Sequence, residues 1–405
     1  MKLLIGGSPC THWSIAQTKN RETEASGIGW ELFLNYRIAR DKYKPDYFLY
    51  ENNKSMSPAI RTQITAELGV EPVLINSALV SAQNRQRLYW VGKREPDGTY
   101  SQVPVEQPED RGILLRDILE TGICWREKGY ALTASSHSAT AEDMFARRQR
   151  NGVAEPIDAC CVAQRGRYIG EGGKVAQHFE ARTDGKTNTL PTVEKDNLVA
   201  EPVRIGTIEN DAKNPDHDSQ QYRVYSPDGK SVTLCGNGGG LGAKTGLYAT
   251  PVGGPDGKAW PVYEVRDGFI TIKGKRYPIK LRDGFYIIRK LTVRECMRLQ
   301  TVPEEYVFPV SNSQAYKMLG NGWTVDVIAH IMSHFEGLTT EPVEVLSMYD
   351  GMSCGHIALD KFGATVATYY STEIDKYAIQ TTQHNYPDTL QLGDAFQVRE
   401  ENWQL

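Results

Sequence analysis

The chain has 405 residues, which at roughly 150 residues per domain makes two to three domains and at least one large core. With 40% hydrophobic and 24% charged residues it is neither a disordered chain nor an integral membrane protein, and no apolar run approaches the roughly 18 residues of a membrane span. The net charge of −4 is unevenly spread: residues 121–290 hold 25 Lys and Arg against 20 Asp and Glu, the remainder 21 against 30, so a modestly basic segment is set into an acidic body. That distribution suits contact with nucleic acid through one part of the surface.

The first 120 residues read as alternating strands and helices. The apolar run Leu3 to Ile5 predicts a strand that enters Gly6-Gly7-Ser8-Pro9-Cys10. Helical apolar spacing follows over Trp30 to Arg40, then a strand at Tyr47 to Tyr50, a helix at Pro58 to Leu68, and strands at Val73 to Asn76 and Arg87 to Gly92. This rhythm belongs to a parallel, helix-covered sheet. From about Thr121 to Tyr286 it stops, and Gly, Asn, Asp and Thr dominate, which predicts an irregular strand-and-loop domain; Ala131 to Thr133, Asn188 to Thr192 and Ser231 to Leu234 read as a degenerate repeat within it. Periodicity returns with helices at Leu291 to Gln300 and Val325 to Phe335. A linker, Gly337 to Pro342, leads to a strand at Val343 to Met348, the turn Tyr349 to Gly355, a helix to Phe362, a strand at Thr365 to Tyr370 and a helix at Asp375 to His384. The expected domains are therefore 1–120 and 290–336 as parts of one catalytic domain, 121–289 as an inserted domain, 337–342 as linker, and 343–405 as a cofactor-binding part.

The seven cysteines, Cys10, Cys124, Cys160, Cys161, Cys235, Cys296 and Cys354, are odd in number and contain no C-x-x-C, which argues against a disulfide framework and a structural zinc. No secretory signal is read at the N-terminus, so a cytoplasmic location is expected. Cys10 follows a strand directly: it reads either as a small buried hydrophobe or as a nucleophile, which would need a partner for the charge it pushes into a substrate. Glu51, at the tip of another strand, is a candidate for that partner, and Arg85 and Arg87 fall on one face of a strand at i and i+2. In the last segment a sharp turn at Gly351 and an acidic residue, Glu373, at the tip of the next strand form the first half of a nucleotide-type site in which the acid accepts ribose hydroxyls. Ser353 stands where a pyrophosphate site would place a glycine, so a ligand without phosphates, such as S-adenosylmethionine, fits better than NAD. Gly238 to Thr245 looks like a phosphate loop but has Ala243 where that motif demands Gly, so a nucleic-acid-facing loop is expected there. Lys273, Lys275, Arg276 and Lys280, with Tyr277 among them, read equally as a solvated face or a phosphate contact.

Together Gly7-Ser8-Pro9-Cys10, Glu51-Asn52, Gln83-x-Arg85-x-Arg87, Arg294-Glu295-Cys296-x-Arg298-Leu299-Gln300, Gly320-Asn321 and the unit of Asp350-Gly351, Glu373 and Asp394 resemble the motif series of the DNA cytosine-5 methyltransferases. The resemblance covers everything except the middle domain. Its order departs from the family's, which begins with the cofactor motifs, so the chain resembles a circular permutant cut between the third and fourth sheet strands. The implied fold is α/β: a Rossmann-like S-adenosylmethionine-dependent methyltransferase sheet, circularly permuted, with an irregular target recognition domain.

The resemblance implies transfer of a methyl group from S-adenosylmethionine to C5 of a flipped-out cytosine in double-stranded DNA, with Cys10 adding to C6, Glu51 bonding N3 and the exocyclic amine, and Arg87 together with Arg85 holding the base O2 and a nearby phosphate. Ser14 matches a position that contacts phosphate. Tyr349, Asp350, Gly351 and Gly355 resemble the first cofactor motif, Glu373 the ribose ligand, Ile374 the adenine-packing residue, Asp394 the adenine amino partner, and Asn321 a residue near the methionine end. Thr11, Asn53, Ser353 and Trp323 depart from the family pattern. The implied setting is bacterial or phage, in restriction-modification or phage self-protection, and the implied protein a monomer without metal or membrane. A tRNA cytosine-5 methyltransferase and a catalytically inactive DNA-binding homologue are the alternatives.

Overall fold

The computed structural model describes residues 1–14, 21–146, 150–156 and 262–405, with Cys10 given by its backbone alone, and the backbone of five strands between 160 and 224. Two compact units emerge: Met1–Ile118, Glu127–Ala139 and Leu291–Leu405 form the first, Leu119–Arg126 and Thr140–Lys290 the second.

The first unit is built on an eight-stranded sheet: β1 Lys2–Gly6, β2 Tyr47–Asn53, β3 Pro72–Asn76, β4 Gln86–Arg94, β5 Tyr100–Gln102, β6 Val343–Met348, β7 Val366–Thr372 and β8 Leu390–Gly393. In space the order is β8-β7-β6-β1-β2-β4-β3, with β5 extending the outer side of β4. Neighbours from β8 through β2 are parallel, whereas β4 runs against β2, β3 and β5. This is the Rossmann-like methyltransferase strand order when counting starts at β6. The two central strands, β6 and β1, come from opposite halves of the sequence, so the topology is permuted. Leu3, Leu4 and Ile5 of β1 have no exposed surface, as expected of a central parallel strand covered on both faces.

Helices α1 Gly27–Tyr43, α2 Pro58–Leu68, α3 Val293–Leu299, α4 Asn312–Asn321, α5 Val325–Met332, α6 Cys354–Phe362 and α7 Lys376–Asn385 complete this unit. Their ends follow local chemistry. Ser57 accepts the Ile60 amide ahead of Pro58, Gly69 closes α2 in the left-handed region, and Thr292 with Glu295 forms a reciprocal capping box on α3. Trp30, Phe33 and Tyr36 of α1 and Ile60 and Ile64 of α2 join Leu4, Phe48, Tyr50, Trp90 and Leu346 in one core cluster. Helix α4 was not among the elements read from the sequence; Ala315, Tyr316, Met318 and Leu319 form its buried face.

Glu127–Ala139, expected in the middle domain, belongs to the first unit. Gly129–Tyr130 pairs in parallel with Gln83–Asn84, and the Lys128 ammonium takes the carbonyls of Ala78, Ser81 and Ile113. The second unit contains a regular five-stranded antiparallel sheet in the order Lys275–Pro278, Phe269–Ile272, Val262–Arg266, Gly284–Lys290, Gly152–Pro156. Two of its hairpins turn at Asp267-Gly268 and Lys273-Gly274, all four residues with positive φ, the conformation that matches strand twist. This part is more regular than the sequence reading expected. A second sheet joins Lys174–Ala181, Cys160–Ile169 and Asn197–Ala200, so Cys160, Cys161 and His178 lie on strands. Asn188 to Thr192, Ser231 to Leu234 and Gly238 to Thr245 lie outside the described residues. Of the basic cluster, Lys273 pairs with Glu142 at 2.5 Å and Arg276 lies over the Phe269 ring at 4.4 Å.

Gly320 in α4 meets another backbone: a Cβ there would stand 2.2 Å from the Thr133 carbonyl carbon and 2.4 Å from the Ala134 nitrogen. Gly320→Ala is therefore expected to destabilise the protein by about 1–3 kcal/mol despite the better helix propensity of alanine, measured by urea unfolding. A stabilised variant would refute this close approach.

Candidate active site

The carboxyl ends of β6 and β1 form the point where strand order reverses, the usual ligand edge of an open α/β sheet. Beyond β1 the chain runs through Gly7-Ser8-Pro9 into a 3-10 turn, Cys10–His12. The hydroxyls of Ser8 and Tyr50 lie 2.7 Å apart, and Asn52 Nδ2 donates to the Ser8 carbonyl at 3.2 Å and the Tyr50 hydroxyl at 3.1 Å, so the loop is tied to β2. Past the turn Trp13 is fully buried and donates its indole N–H to Glu22 at 3.1 Å; Glu22 also accepts the Gly29 amide of α1. The backbone of Cys10 is thus held between two anchored segments, while its side chain lies outside the described residues. Ser14 follows, half-buried.

Glu51 sits near the end of β2 with its side chain 12% exposed. Its Oε1 pairs with Arg87 Nε at 2.9 Å, and its Oε2 accepts the indole N–H of Trp323 at 3.0 Å. Arg85 and Arg87, expected on one strand face, part company because Arg85 falls in the break between Gln83–Asn84 and β4. Arg85 is 3% exposed, and its guanidinium donates to the carbonyls of Leu132 at 3.0 Å, Gly320 at 3.2 Å and Gly322 at 2.8 Å. The Nη1 and Nη2 donors of Arg85 are thus turned into the protein's own backbone. Around it Gln83 Nε2 donates to Gln300 Oε1 at 2.7 Å, Gln300 Nε2 to the Leu319 carbonyl at 2.6 Å, and Thr324 Oγ1 to Gln300 Oε1 at 2.9 Å. Beside Arg87 a groove of about 340 Å³ is lined by Asn53, Lys54, Ser55, Gln86 and Arg87.

On the other side of the reversal point the turn after β6 places Tyr349 and Ser353, both non-glycine, in the left-handed region, with Gly351 between them. Strain of this kind persists only where neighbours fix it. The Tyr349 amide bonds Thr372 Oγ1 and its hydroxyl the Leu32 carbonyl, while the Ser353 hydroxyl bonds Asp350 Oδ2. Ser353, a departure from the family pattern, thus secures the Asp350 carboxylate, which also accepts from Ser347 at 2.6 Å and Tyr369 at 2.8 Å. Burial pushes the Asp350 carboxyl up to about 6 against the opposing pull of these donors. Glu373 accepts the amides of Gly351 at 2.8 Å, Ile374 at 2.7 Å and Asp375 at 2.8 Å. Ile374 is 74% exposed. Asp394 is exposed and caps the turn Ala395–Arg399; Asn321 is exposed at the end of α4. At Gly355 a Cβ would stand 2.1 Å from Ile5 Cδ1, so this glycine allows the helix to approach β1 closely.

This turn fits S-adenosylmethionine. A Cβ built on Gly351 meets nothing within 4 Å, so the space above the turn is open. Tyr349 to Gly355 contains no Lys or Arg, and the carboxylates of Asp350 and Glu373 flank it, which opposes a pyrophosphate and favours a sulfonium and an ammonium. Among the described residues no cluster of His, Cys, Asp and Glu could hold a metal ion, and no helix is long and apolar enough to cross a membrane.

The model of the C-5 cytosine-specific DNA methylases matches residues 1–336. The chain belongs to this family. As a family member it is an S-adenosylmethionine-dependent methyltransferase acting on C5 of a flipped-out cytosine. It is similar to the orphan methyltransferase M.SPRI of Bacillus phage SPR, 25% identical over 388 residues that cover 81% of each chain. It is also similar to the orphan methyltransferase M.Rho11sI of Bacillus phage rho11s, 27% identical over 61% of this chain and 47% of that one. The type II methyltransferase M.HhaI of Haemophilus parahaemolyticus is 28% identical over 36% of this chain and 33% of its own. The matched range stops before the linker, yet β6, β7 and β8 complete the same sheet, as the permuted motif order requires. Trp323, which bonds Glu51, shows in the sequence only as a departure from the family pattern, and Lys54, beside Arg87, carries no motif signal at all.

The raised Asp350 carboxyl has two consequences for this methyltransferase. Its folded value lies above the ordinary carboxyl range, so it contributes stability at low pH that is lost as pH rises through about 6. The ionised form, dominant above that value, is the one that attracts a cationic cofactor. S-adenosylmethionine affinity, measured by titration calorimetry, is expected to weaken as pH falls from about 7.5 to about 5, and Asp350→Asn to flatten that dependence. An undiminished slope in Asp350→Asn would place the titrating group elsewhere.

Proposed function

We propose that this methyltransferase acts on cytosine in double-stranded DNA through a covalent bond between Cys10 and C6. The observation that carries the reading is the ion pair of Glu51 on β2 with Arg87 on β4, where β2 also supplies Tyr50 and Asn52 to hold Ser8 at the start of the Pro9-Cys10 loop. C5 of cytosine is too weak a nucleophile to take a methyl group unaided. The Cys10 thiolate forms a bond to C6, the electron pair of the 5,6 double bond moves to C5, and Glu51, in its protonated form, donates to N3 and accepts from the exocyclic amine, stabilising the negative charge that develops on the ring. S-adenosylmethionine, when bound, supplies an electrophilic methyl group. A base, water in this site, then removes the C5 proton, the C6–sulfur bond breaks, and the 5,6 double bond returns with release of the Cys10 thiolate.

Arg87 keeps Glu51 in place and holds the base O2 and a phosphate, whereas Arg85 acts as a positioning residue through the carbonyls it gathers. Ser14 contacts phosphate. Glu373 takes the ribose, Ile374 packs on adenine, Asp394 receives the adenine amino group, and Tyr349, Asp350, Gly351 and Asn321 form the remaining contacts, with Gly355 allowing α6 to approach β1. The second unit, which includes most of the net-positive segment 121–290, selects the target sequence.

A duplex carrying 5-fluorocytosine at the target tests the chemistry, because fluorine replaces the proton that the last step removes. With S-adenosylmethionine it should give a protein–DNA adduct that survives denaturation, and Cys10→Ala should give none. Cys296 and Cys354 are buried, and burial pushes the Cys354 thiol up to about 12, which suppresses its thiolate, so their alanine variants should still form the adduct. An adduct on another cysteine would sink the covalent role of Cys10, and methylation of tRNA without methylation of duplex DNA would sink the choice of substrate.

The groove beside Arg87 adds an electrostatic expectation. Lys54 Nζ rests on the neutral Gln86 Oε1 at 2.6 Å, ready to exchange it for a phosphate. Lys54→Ala should weaken duplex binding uniformly across sequences and reduce the slope of log affinity against log salt by about 0.9, measured by fluorescence anisotropy. An unchanged slope would remove this groove from the DNA path.

A further inference from the structure

We propose that Trp323 is a positioning residue for Glu51, fixing the plane in which its carboxylate meets the base; the inference rests on the reading of Glu51 as the base-holding acid. A carboxylate offers about four lone-pair sites, and one donor on each oxygen determines its rotation. Here Arg87 Nε takes Oε1 at 2.9 Å and Trp323 Nε1 takes Oε2 at 3.0 Å. One position on each oxygen is left: one accepts an N–H of the cytosine exocyclic amine, and the other carries the proton with which Glu51 donates to N3, an acceptor in neutral cytosine.

The indole is not free to seek another partner, because the backbone on both sides of it is pinned. The Gly322 carbonyl accepts from Arg85 at 2.8 Å and from Gln300 at 3.2 Å, and the Gly322 amide donates to the Met318 carbonyl at 2.7 Å. On the other side the Thr324 hydroxyl donates to Gln300 Oε1 at 2.9 Å and accepts from Ser77 at 2.9 Å. A small apolar side chain at 323 has no donor for Oε2, so the residue that departs from the family pattern adds a constraint on Glu51 that such a side chain lacks. The second donor is neutral, which orders the carboxylate without a second counter-charge to compete with the base.

The test compares Trp323→Phe, which keeps a ring but loses the N–H, with Trp323→His, which restores a ring donor, on the nucleic acid that the wild-type chain methylates. Trp323→Phe should lower kcat by about ten- to a hundredfold, the loss of one hydrogen bond to a charged group, with the KM for S-adenosylmethionine unchanged, and Trp323→His should recover part of the loss. The effect should also depend on Glu51: Glu51→Gln with Trp323→Phe should be no slower than Glu51→Gln alone. Calorimetric binding of S-adenosylmethionine shows that each variant is folded. Wild-type kcat in Trp323→Phe, or a double variant slowed by the product of the two single factors, would overturn the proposal. Failure of the duplex-DNA reading shows in the wild-type chain's choice of substrate, whereas failure of this inference shows only in the ratio between variants.

Discussion

A guanidinium cannot shed its charge, so a buried one obliges the protein to surround it with acceptors. Arg85 is that obligation here. Three backbone carbonyls turn toward it, from Leu132, Gly320 and Gly322, and with Gln83, Gln300 and Thr324 they form one enclosed polar network. Segments far apart in sequence are therefore fixed to one another by directional bonds rather than by apolar packing alone, and leaving any of these groups unpaired would cost about 1–3 kcal/mol. The end of α4 with Asn321, the Trp323 indole and the start of β4 with Arg87 all take their positions from it.

The two halves of the chemistry meet because β1 and β6 are neighbours. The turn after β6 and the tip of β7 present Asp350, Glu373 and Ile374, while the loop after β1 and the tips of β2 and β4 present the Cys10 backbone, Glu51 and Arg87. Acidic groups dominate the first side and a compensated ion pair the second, a division that suits a cationic donor beside a base with its phosphate. What matters is strand order in space, so the family's motifs work together although the sequence delivers them in another order.

Much of this was legible in the residues themselves. Continuous apolar runs marked β1 and β6, helical spacing with Pro58 and Gly69 marked α2, and the motif order announced the permutation. What was missed has identifiable causes. Helix α4 follows Pro303 and Pro309 and opens on Ser311-Asn312-Ser313, turn-forming residues that mask the buried face of Ala315, Tyr316, Met318 and Leu319. The hairpins at Asp267-Gly268 and Lys273-Gly274 were submerged in a segment whose average composition looks irregular, although Asp-Gly is itself a turn signal. The destination of the Arg85 guanidinium depends on carbonyls from two distant segments, and no local pattern encodes it. Trp323 was visible only as an anomaly, because its partner on β2 is brought to it by the tertiary fold.

The pairing of β1 with β6 also has a kinetic side. During synthesis β1, carrying Leu3, Leu4 and Ile5, emerges before β6, and the strand that covers its free edge is translated only after the inserted unit is complete. Until then the nascent chain exposes an unpaired apolar edge at the middle of its future sheet, the kind of edge that recruits other chains. The central ladder is thus a contact of very high sequence separation, and such contacts close slowly. Rearranging the motifs keeps the family's strand order in space but moves a late step of assembly to the centre of the sheet.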